Sequence, residues 1–446
     1  MAIRTRWKVG VATTFVPSAE PLEMLEETVT ALIALDYPHD TWVLDEGDDD
    51  RVKALCLRLG ASHFSRKHIP AYQSNDGTFK SRSKHGNYNA WLYEVGLDRY
   101  EIVVGFDPDH VPNPHFLTTV LGYFEDPKVG YVQAAQVYKN QKASFIARGA
   151  AEETYAYYSS LQMASYAMGY PIVTGCHNTN RVTALRQVGG FAAHDADDLL
   201  ITQLYRASGW EGVYVPQILA KGLTPVDWNG YLTQQQRWAR SVLDIKFRQF
   251  PKIAGKLPVS ARLISSLHGL NYVQEGILPA GGLIVMAVML VTGSTPVLAY
   301  LTGVKLAILL GVVQFSDFYR QRFYLDWRNE CGLPWRAAVL RFAKWPYFLL
   351  ALYEAILHRQ VSYSITPKVK EKSRSIRLLL WPHLLVALLV CAAWVISVVS
   401  ANDISPSVHA WTAIIVAGTL ALISTELLMQ FPHPSGKKLP NKPAAE

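Results

Sequence analysis

The hydrophobic residues of this chain are distributed unevenly, and this constrains the fold more than any other feature of the sequence. Charged residues are frequent up to about Lys256, whereas long apolar runs appear only after it. A helix needs roughly 20 apolar residues to cross a bilayer. The sequence therefore predicts a soluble domain, 1–250, then a membrane domain, 251–431, and a short flexible tail, 432–446.

The membrane domain contains four apolar segments separated by a basic one. The basic segment, 316–377, is rich in Arg and Lys, while the short connectors between the apolar segments carry neither residue. By the positive-inside rule the basic segment, the soluble domain and the tail are cytoplasmic. We therefore expect a multi-pass protein of the inner or plasma membrane. The four predicted transmembrane helices are 276–293, 297–315, 378–400 and 410–431.

Two further stretches, 231–250 and 345–357, mix aromatic with basic residues in the manner of helices that lie at a membrane surface. They would dock the soluble domain at the bilayer. Lys305 lies inside an apolar run, where it either extends to the cytoplasmic side or lines a polar path. We take the first as the default interpretation.

Charge and cysteine content exclude several other classes of protein. The net charge of +7 comes largely from residues next to the apolar segments, so it indicates membrane orientation and not nucleic-acid binding. The four cysteines lie far apart, without CxxC or His-rich spacing. They predict a reducing environment, with no zinc site and no disulfide framework. These cysteines are Cys56, Cys176, Cys331 and Cys391.

The soluble half alternates strands with helices. The apolar patterns predict strands at 9–15 and 42–44 and helices at 22–35 and 52–59. Such alternation is typical of an α/β domain with a mostly parallel, doubly wound sheet. Ligands bind at the carboxyl ends of the strands in such sheets.

Asp107 and Asp109 follow the apolar strand 102–105 at such an end, in a turn that contains two prolines. Two carboxylates spaced in this way can present hard oxygen ligands to Mg²⁺ or Mn²⁺. A solvated turn is the alternative for this motif taken alone.

Several other polar motifs allow both a structural and a functional interpretation. The acidic turn 45–50 either binds a nucleotide's base or ribose or is a solvated turn, and the basic run 80–90 either binds a diphosphate or is a surface loop. Asp198 caps a helix by default. The loop 174–180 reads as a binding loop or an ordinary turn, and the tyrosines at 155, 157 and 158 as core or as sugar-stacking residues.

Together, in their order and spacing, these motifs resemble the family 2 inverting glycosyltransferases. The resemblance is to the processive, cellulose-synthase-like branch, which includes cellulose- and curdlan-type β-glucan synthases, and it spans roughly 9–375. It implies a GT-A-type nucleotide-sugar-binding fold. The motifs are Asp45-Glu46-Gly47, Lys84 to Ala90, Asp107 to Pro112, Asp197-Asp198, Gln234 with Arg237-Trp238, and Tyr363 to Lys368.

The resemblance implies a role for each matching residue. Asp107 and Asp109 would hold Mg²⁺ or Mn²⁺, and Asp198 would be the catalytic base. The implied donor-binding residues are Asp45, Lys84, Asp107, Arg237, Thr366 and Lys368. The implied acceptor-binding residues are Gln234, Arg237, Trp238, Gly175, Cys176 and Asp197.

The activity that the resemblance implies is extension, and also translocation, of a β-glucan from UDP-glucose. The partners would be a UDP-sugar, the growing polysaccharide and the lipid bilayer, with an accessory membrane or periplasmic subunit left open. Transfer of one sugar to a lipid or oligosaccharide is the nearest alternative. An inactive nucleotide-sugar-binding scaffold is the second alternative, although an idle site has no need of Asp107, Asp109 and Asp198 together.

Overall fold

A computed structural model of the protein describes residues 7–294, 303–358 and 376–430. Eight strands form one mixed sheet in the order β3-β2-β1-β4-β7-β6-β8-β5. The strands are β1 Val9–Phe15, β2 Asp40–Asp45, β3 Ser62–Phe64, β4 Ile102–Phe106, β5 Val111–Pro112, β6 Val129–Tyr138, β7 Asn178–Arg181 and β8 Glu211–Gly222.

The sheet combines a parallel half with antiparallel insertions. β1 pairs in parallel with β2 and β4, and β6 pairs in parallel with β8. β7 lies between β4 and β6 and runs antiparallel to both. Helices then follow the sheet domain along the chain, which confirms the predicted fold class. The sequence pattern indicates a loop at 174–180, whereas β7 begins at Asn178, and it does not predict β3, β5 or β8 either.

Both faces of the central strands are buried. Val9, Val11 and Val104 belong to one apolar cluster, while Ala12 and Val103 belong to another. Alternate residues of these strands thus face opposite layers, as expected for a sheet that is covered by helices on both sides.

The helices begin at positions that the local sequence favours. Ser83 caps α3 by accepting a hydrogen bond from the Gly86 N–H, and Asp49 caps α2 in the same way through Arg51. The first ten helices are α1 Leu22–Ile33, α2 Asp50–Leu59, α3 Lys84–Trp91, α4 Leu97–Arg99, α5 Phe116–Val120, α6 Phe145–Ala156, α7 Gln162–Ala167, α8 Val182–Val188, α9 Asp197–Ala207 and α10 Trp228–Asp244.

The remaining helices contain the apolar half of the chain. They are α11 Phe250–Ile253, α12 Val259–Leu267, α13 Leu270–Thr292, α14 Gly303–Gln321, α15 Trp327–Glu330, α16 Trp335–Ile356, α17 Ile376–Leu379, α18 Trp381–Val399 and α19 Pro406–Gln430.

Three helical segments in the described part of the chain are long and apolar enough to cross a membrane. They are Val259–Thr292, Trp381–Val399 and Pro406–Thr425. Three of the four predicted transmembrane helices overlap these segments. The predicted helix 297–315 falls partly outside the described residues, and its described part lies in α14, where Lys305 is exposed.

The chain divides into two compact units. One consists of Met1–Gly281 with Leu301–Lys372, and the other of Gly282–Tyr300 with Ser373–Glu446. The described part of the predicted segment 316–377 therefore lies mostly in the first unit, together with the sheet. The contact between α10 and α16, which joins Ala239 to Phe348 and Ala351, accounts for this. The predicted domain boundaries and the membrane-surface location of the stretches 231–250 and 345–357 stay predictions.

The pairing of β6 with β8 generates a prediction about Gly212. This glycine lies opposite Tyr131, and a Cβ there would come within 2.2 Å of the tyrosine ring. We expect Gly212→Ala to destabilise the sheet domain by about 1–3 kcal/mol, because the buried ring has no space to move into. The measurement is the melting temperature of the purified protein, followed by intrinsic tryptophan fluorescence.

Gly122→Ala is the matched control, since a Cβ at Gly122 would meet no atom within 4 Å. Equal melting temperatures for the two variants would show that the Tyr131 ring does not cover β8.

Candidate active site

One large cleft, with a volume of about 1740 Å³, opens in the first compact unit at the carboxyl ends of β1, β2 and β4. The predicted site residues that it brings together span 154 positions, from Lys84 to Trp238. The predicted site residues that line it are Lys84, Asp107, Asp109, Gly175, Cys176, Asp197, Asp198, Gln234, Arg237 and Trp238.

Lys84 and Asp107 form an ion pair on the wall of this cleft. The Nζ atom of Lys84 lies 2.5 Å from Oδ1 of Asp107 and also donates to the carbonyl of Gly175. Burial works against the ammonium charge, but the carboxylates of Asp107 and Asp197 raise the pKa of Lys84 well above its usual value. Lys84 is therefore a fixed positive charge that joins α3, the end of β4 and the 174–177 loop.

Asp109 and His110 follow Asp107 in the same turn and are buried. Oδ1 of Asp109 lies 3.1 Å from Nδ1 of His110, and Oδ2 accepts a hydrogen bond from the Leu223 N–H. Asp107, Asp109 and His110 each offer a ligand atom, and these atoms lie within 4.8 Å of one another. Carboxylate oxygens suit Mg²⁺ or Mn²⁺, so Asp107 and Asp109 fit the predicted metal. His110 is not among the predicted site residues, although its place directly after Asp109 was a usable signal.

Asp197 and Asp198 begin α9 opposite this group. Oδ1 of Asp198 accepts a hydrogen bond from the Leu199 N–H at 2.8 Å. A Cβ on Gly175 would lie 3.5 Å from Oδ2 of Asp198 and 3.9 Å from Nζ of Lys84, so the loop brings both groups to one point of the cleft. Burial, and then the neighbouring Asp197 carboxylate, raises the pKa of Asp198 to about 7. A carboxylate with such a pKa is suited to accept a proton near neutral pH.

The helix α10 supplies another wall of the cleft. Its residues Gln234, Arg237 and Trp238 all line the cleft, as predicted. The tyrosines have mixed positions, since Tyr157 and Tyr158 line the cleft while Tyr155 does not.

A group of charged side chains that no sequence motif indicates lies beside α10. Nζ of Lys344 in α16 is 2.9 Å from Glu153 and 3.5 Å from Glu275, and the three side chains line the same cleft. They come from positions 153, 275 and 344, and no local pattern in the sequence connects them.

Asp45 does not line the cleft. Its side chain is fully buried, and its two oxygens accept hydrogen bonds from the N–H groups of Gly47 and Asp49. Nε2 of His63 also lies 3.2 Å from Oδ2. Asp45 therefore shapes the turn after β2, and its predicted direct contact with a donor stays a prediction.

Glu46 lines the cleft next to this turn and holds the loop that follows β3. It forms an ion pair with the fully buried Arg66, whose guanidinium also donates to the carbonyls of Tyr72, Phe79 and Ser83. One buried cation thus fixes the course of a long surface loop. Thr366 and Lys368, the last two predicted donor-binding residues, lie outside the described residues.

Comparison with known proteins places this geometry in a family. Residues 10–241 match the family model described as glycosyltransferase like family 2. The chain belongs to glycosyltransferase family 2. The match covers the sheet and every site residue described above except those in α16 and Glu275, so the family resemblance inferred from the motifs is confirmed.

The curated relatives of this family 2 member include cellulose synthases. The chain is 28% identical over 259 residues to the cellulose synthase catalytic subunit [UDP-forming] of Xanthomonas axonopodis pv. citri. This alignment covers 56% of this chain and 34% of that protein. It is also 28% identical over 269 residues to cellulose synthase 2 of Novacetimonas hansenii, covering 58% of this chain and 16% of that protein. The chain thus matches a third or less of the length of these relatives.

A solved structure shares the fold. The mannosyltransferase PcManGT of Pyrobaculum calidifontis, solved with GDP-Man and Mn²⁺, matches 80% of this chain and 89% of its own, with a TM-score of 0.53 and 20% sequence identity. At this identity the likeness supports the GT-A-like fold alone.

The position of Asp107 generates a prediction about metal binding. We expect Asp107→Asn to lower the affinity of the purified protein for Mn²⁺ by about tenfold or more, because carboxylate charge is a main determinant of such sites. Titration of free Mn²⁺, followed by its electron paramagnetic resonance signal, measures this affinity.

Asp98→Asn is the control, because this carboxylate is 90% exposed and pairs with Arg186 away from the cleft. Unchanged Mn²⁺ binding in Asp107→Asn would remove Asp107 from the set of ligands.

Proposed function

We propose that this family 2 protein is a membrane-bound, processive, inverting β-glycosyltransferase that polymerises a β-glucan from UDP-glucose and translocates it. The observation that carries this proposal is the convergence of Asp107, Asp109 and Asp198 with Gln234 and Trp238 on one cleft. Metal-binding, proton-accepting and acceptor-holding groups thus lie within one volume. The similarity to cellulose synthases supports the polymer as product.

The donor would bind at the β1, β2 and β4 side of the cleft. A divalent ion held by Asp107 and Asp109 would supply positive charge next to the diphosphate. Lys84 and Arg237 bring two more cationic side chains into the cleft and would bind donor oxygens. Thr366 and Lys368 complete the proposed donor set.

Asp198 would act on the acceptor. Its carboxylate accepts the proton of an acceptor hydroxyl, whose oxygen attacks the anomeric carbon from the face opposite the nucleotide. The bond between the sugar and UDP breaks in the same displacement, so an α-linked donor gives a β-linked product. Gly175 and Asp197 lie beside Asp198, and with Gln234 and Trp238 they would hold the end of the glycan. Cys176 is 1% exposed, and its predicted acceptor contact stays a prediction.

Membrane attachment follows from the three apolar helical segments. We propose that the sheet domain is cytoplasmic and that the protein crosses the inner or plasma membrane several times, with the product entering the bilayer as it grows. An accessory membrane or periplasmic subunit belongs to the same proposal.

A donor assay tests the function. Purified protein in lipid with Mg²⁺ or Mn²⁺ receives radiolabelled UDP-glucose, UDP-N-acetylglucosamine or GDP-mannose, and both nucleotide release and high-molecular-weight product are measured. We expect polymer from UDP-glucose, with linkage-specific glucanases identifying the bond. Nucleotide release without polymer favours transfer of a single sugar, and silence with every donor favours the inactive scaffold.

The role of Asp198 gives a second prediction. We expect Asp198→Asn to lower kcat by about 10²–10⁴-fold, the usual contribution of a general base, while UDP affinity stays nearly unchanged. In the unaltered enzyme kcat/KM should fall about tenfold per pH unit below pH 7, because the protonated Asp198 that predominates there cannot accept a proton. Initial rates from pH 5 to 9 measure this.

Asp98→Asn serves as the control here as well, and its rate should be unchanged. Normal turnover in Asp198→Asn would rule out Asp198 as the base, and a pH profile that is flat between 5 and 8 would contradict its raised pKa.

A further inference from the structure

Two imidazoles and one thiol, which are soft or borderline metal ligands, meet beside the Asp-x-Asp turn. His110, Cys176 and His177 each offer one ligand atom, and these atoms lie within 4.8 Å of one another. The three residues are 1%, 1% and 0% exposed. His110 lies 66 positions before Cys176 in the sequence. A search for CxxC or His-rich spacing therefore cannot detect this group.

His110 has one ring nitrogen to spare. Its Nδ1 faces Oδ1 of Asp109 at 3.1 Å, whereas its buried Nε2 has no hydrogen-bond partner among the described residues. A buried polar atom without a partner needs an explanation, and an ion that it binds is one. Gly222 lies against the ring, since a Cβ there would come within 2.1 Å of Nε2.

In His177 the two ring nitrogens have the opposite roles, because Nε2 is the hydrogen-bonded nitrogen and Nδ1 faces Cys176. Its Nε2 lies 3.1 Å and 3.2 Å from the carbonyl oxygens of Ala134 and Ala135, which places the ring proton on Nε2. The lone pair of Nδ1 therefore points away from these carbonyls, and Nδ1 lies 3.0 Å from Sγ of Cys176. His177 adopts a left-handed backbone conformation, with φ of 39°, that favours glycine or asparagine. The fold thus holds His177 in a backbone conformation that residues with a Cβ rarely adopt.

Both imidazoles therefore show the pattern of metal-binding histidines. Such histidines donate one N–H to a carboxylate or a backbone carbonyl and bind the metal through the other nitrogen. Here Asp109 accepts a hydrogen bond from His110, and the Ala134 and Ala135 carbonyls accept one from His177. Sulfur and imidazole donors select Zn²⁺ and similar thiophilic ions, whereas the carboxylates of Asp107 and Asp109 select Mg²⁺ or Mn²⁺.

We propose that His110, Cys176 and His177 bind one thiophilic transition-metal ion of the Zn²⁺ class, at a site separate from the proposed catalytic metal. On binding, the Cys176 thiol releases its proton to solvent and its sulfur bonds to the ion. The ion joins the turn after β4 to the loop before β7 and so fixes the position of Asp109. The site extends the proposed function but does not rest on it, because its binding can be measured without any transfer assay.

The test is the metal content of the purified full-length protein after growth with Zn²⁺ and removal of loosely bound ions. Elemental analysis should find about one Zn²⁺ per chain in the unaltered protein and at least tenfold less in Cys176→Ser. Cys56→Ser is the matched control, because Cys56 is an equally buried cysteine in a purely apolar cluster. It should retain the metal, and so should Asp107→Asn, which alters only the hard-oxygen site.

A second measurement uses the unaltered protein and does not depend on the folding of a variant. Co²⁺ added to metal-free protein should produce a thiolate-to-cobalt absorption band in the near ultraviolet, and one equivalent of Zn²⁺ should remove it. Zn²⁺ retained by Cys176→Ser would overturn the site. So would an unaltered protein that holds no Zn²⁺ and gives no cobalt band. Either result leaves the glycosyltransferase proposal untouched, and a failed donor assay leaves this site untouched.

Discussion

The antiparallel pairing of β7 with β4 is the constraint on which the cleft depends. Gly105, near the end of β4, pairs with Asn178 at the start of β7. Because the strands run in opposite directions, the end of one lies beside the beginning of the other. The Asp-x-Asp turn after β4 and the loop before β7 therefore meet at one edge of the sheet. Lys84 then joins them through Asp107 and the Gly175 carbonyl. A fully parallel sheet would place these two segments at opposite edges.

The same junction concentrates negative charge around a single ammonium group. Asp107, Asp197 and Asp198 all act on Lys84 or on one another. One lysine offsets only part of this charge, so the cleft attracts divalent cations and raises the proton affinity of Asp198. The Asp197 carboxylate thus contributes to the attraction for a metal and, after burial, to the raised pKa of Asp198. Burial and the Asp197 carboxylate are the two largest causes that raise the pKa of Asp198.

The sequence predicted the elements that local pattern determines. β1 and the helices α1 and α2 follow from short-range periodicity, and the site residues of the cleft follow from motifs that keep their order. β8 was not predicted, because it carries Gly212 and a proline and pairs with a strand that lies more than 70 positions earlier. The role of Asp45 as the organiser of a turn, and the cluster of Glu153, Glu275 and Lys344, also depend on contacts between distant segments. No local pattern records such contacts.

The buried Arg66 bears on how such a cleft can diversify. Its guanidinium holds Glu46 and three carbonyls spread over the loop from Tyr72 to Ser83. Backbone carbonyls are present whatever the side chains are, so this anchor is indifferent to most of the loop's sequence. Exposed positions between the anchored carbonyls can therefore change during evolution while the course of the loop is kept. Side chains on the rim of the cleft beside Glu46 can thus be replaced without loss of the Arg66 contacts that hold the loop.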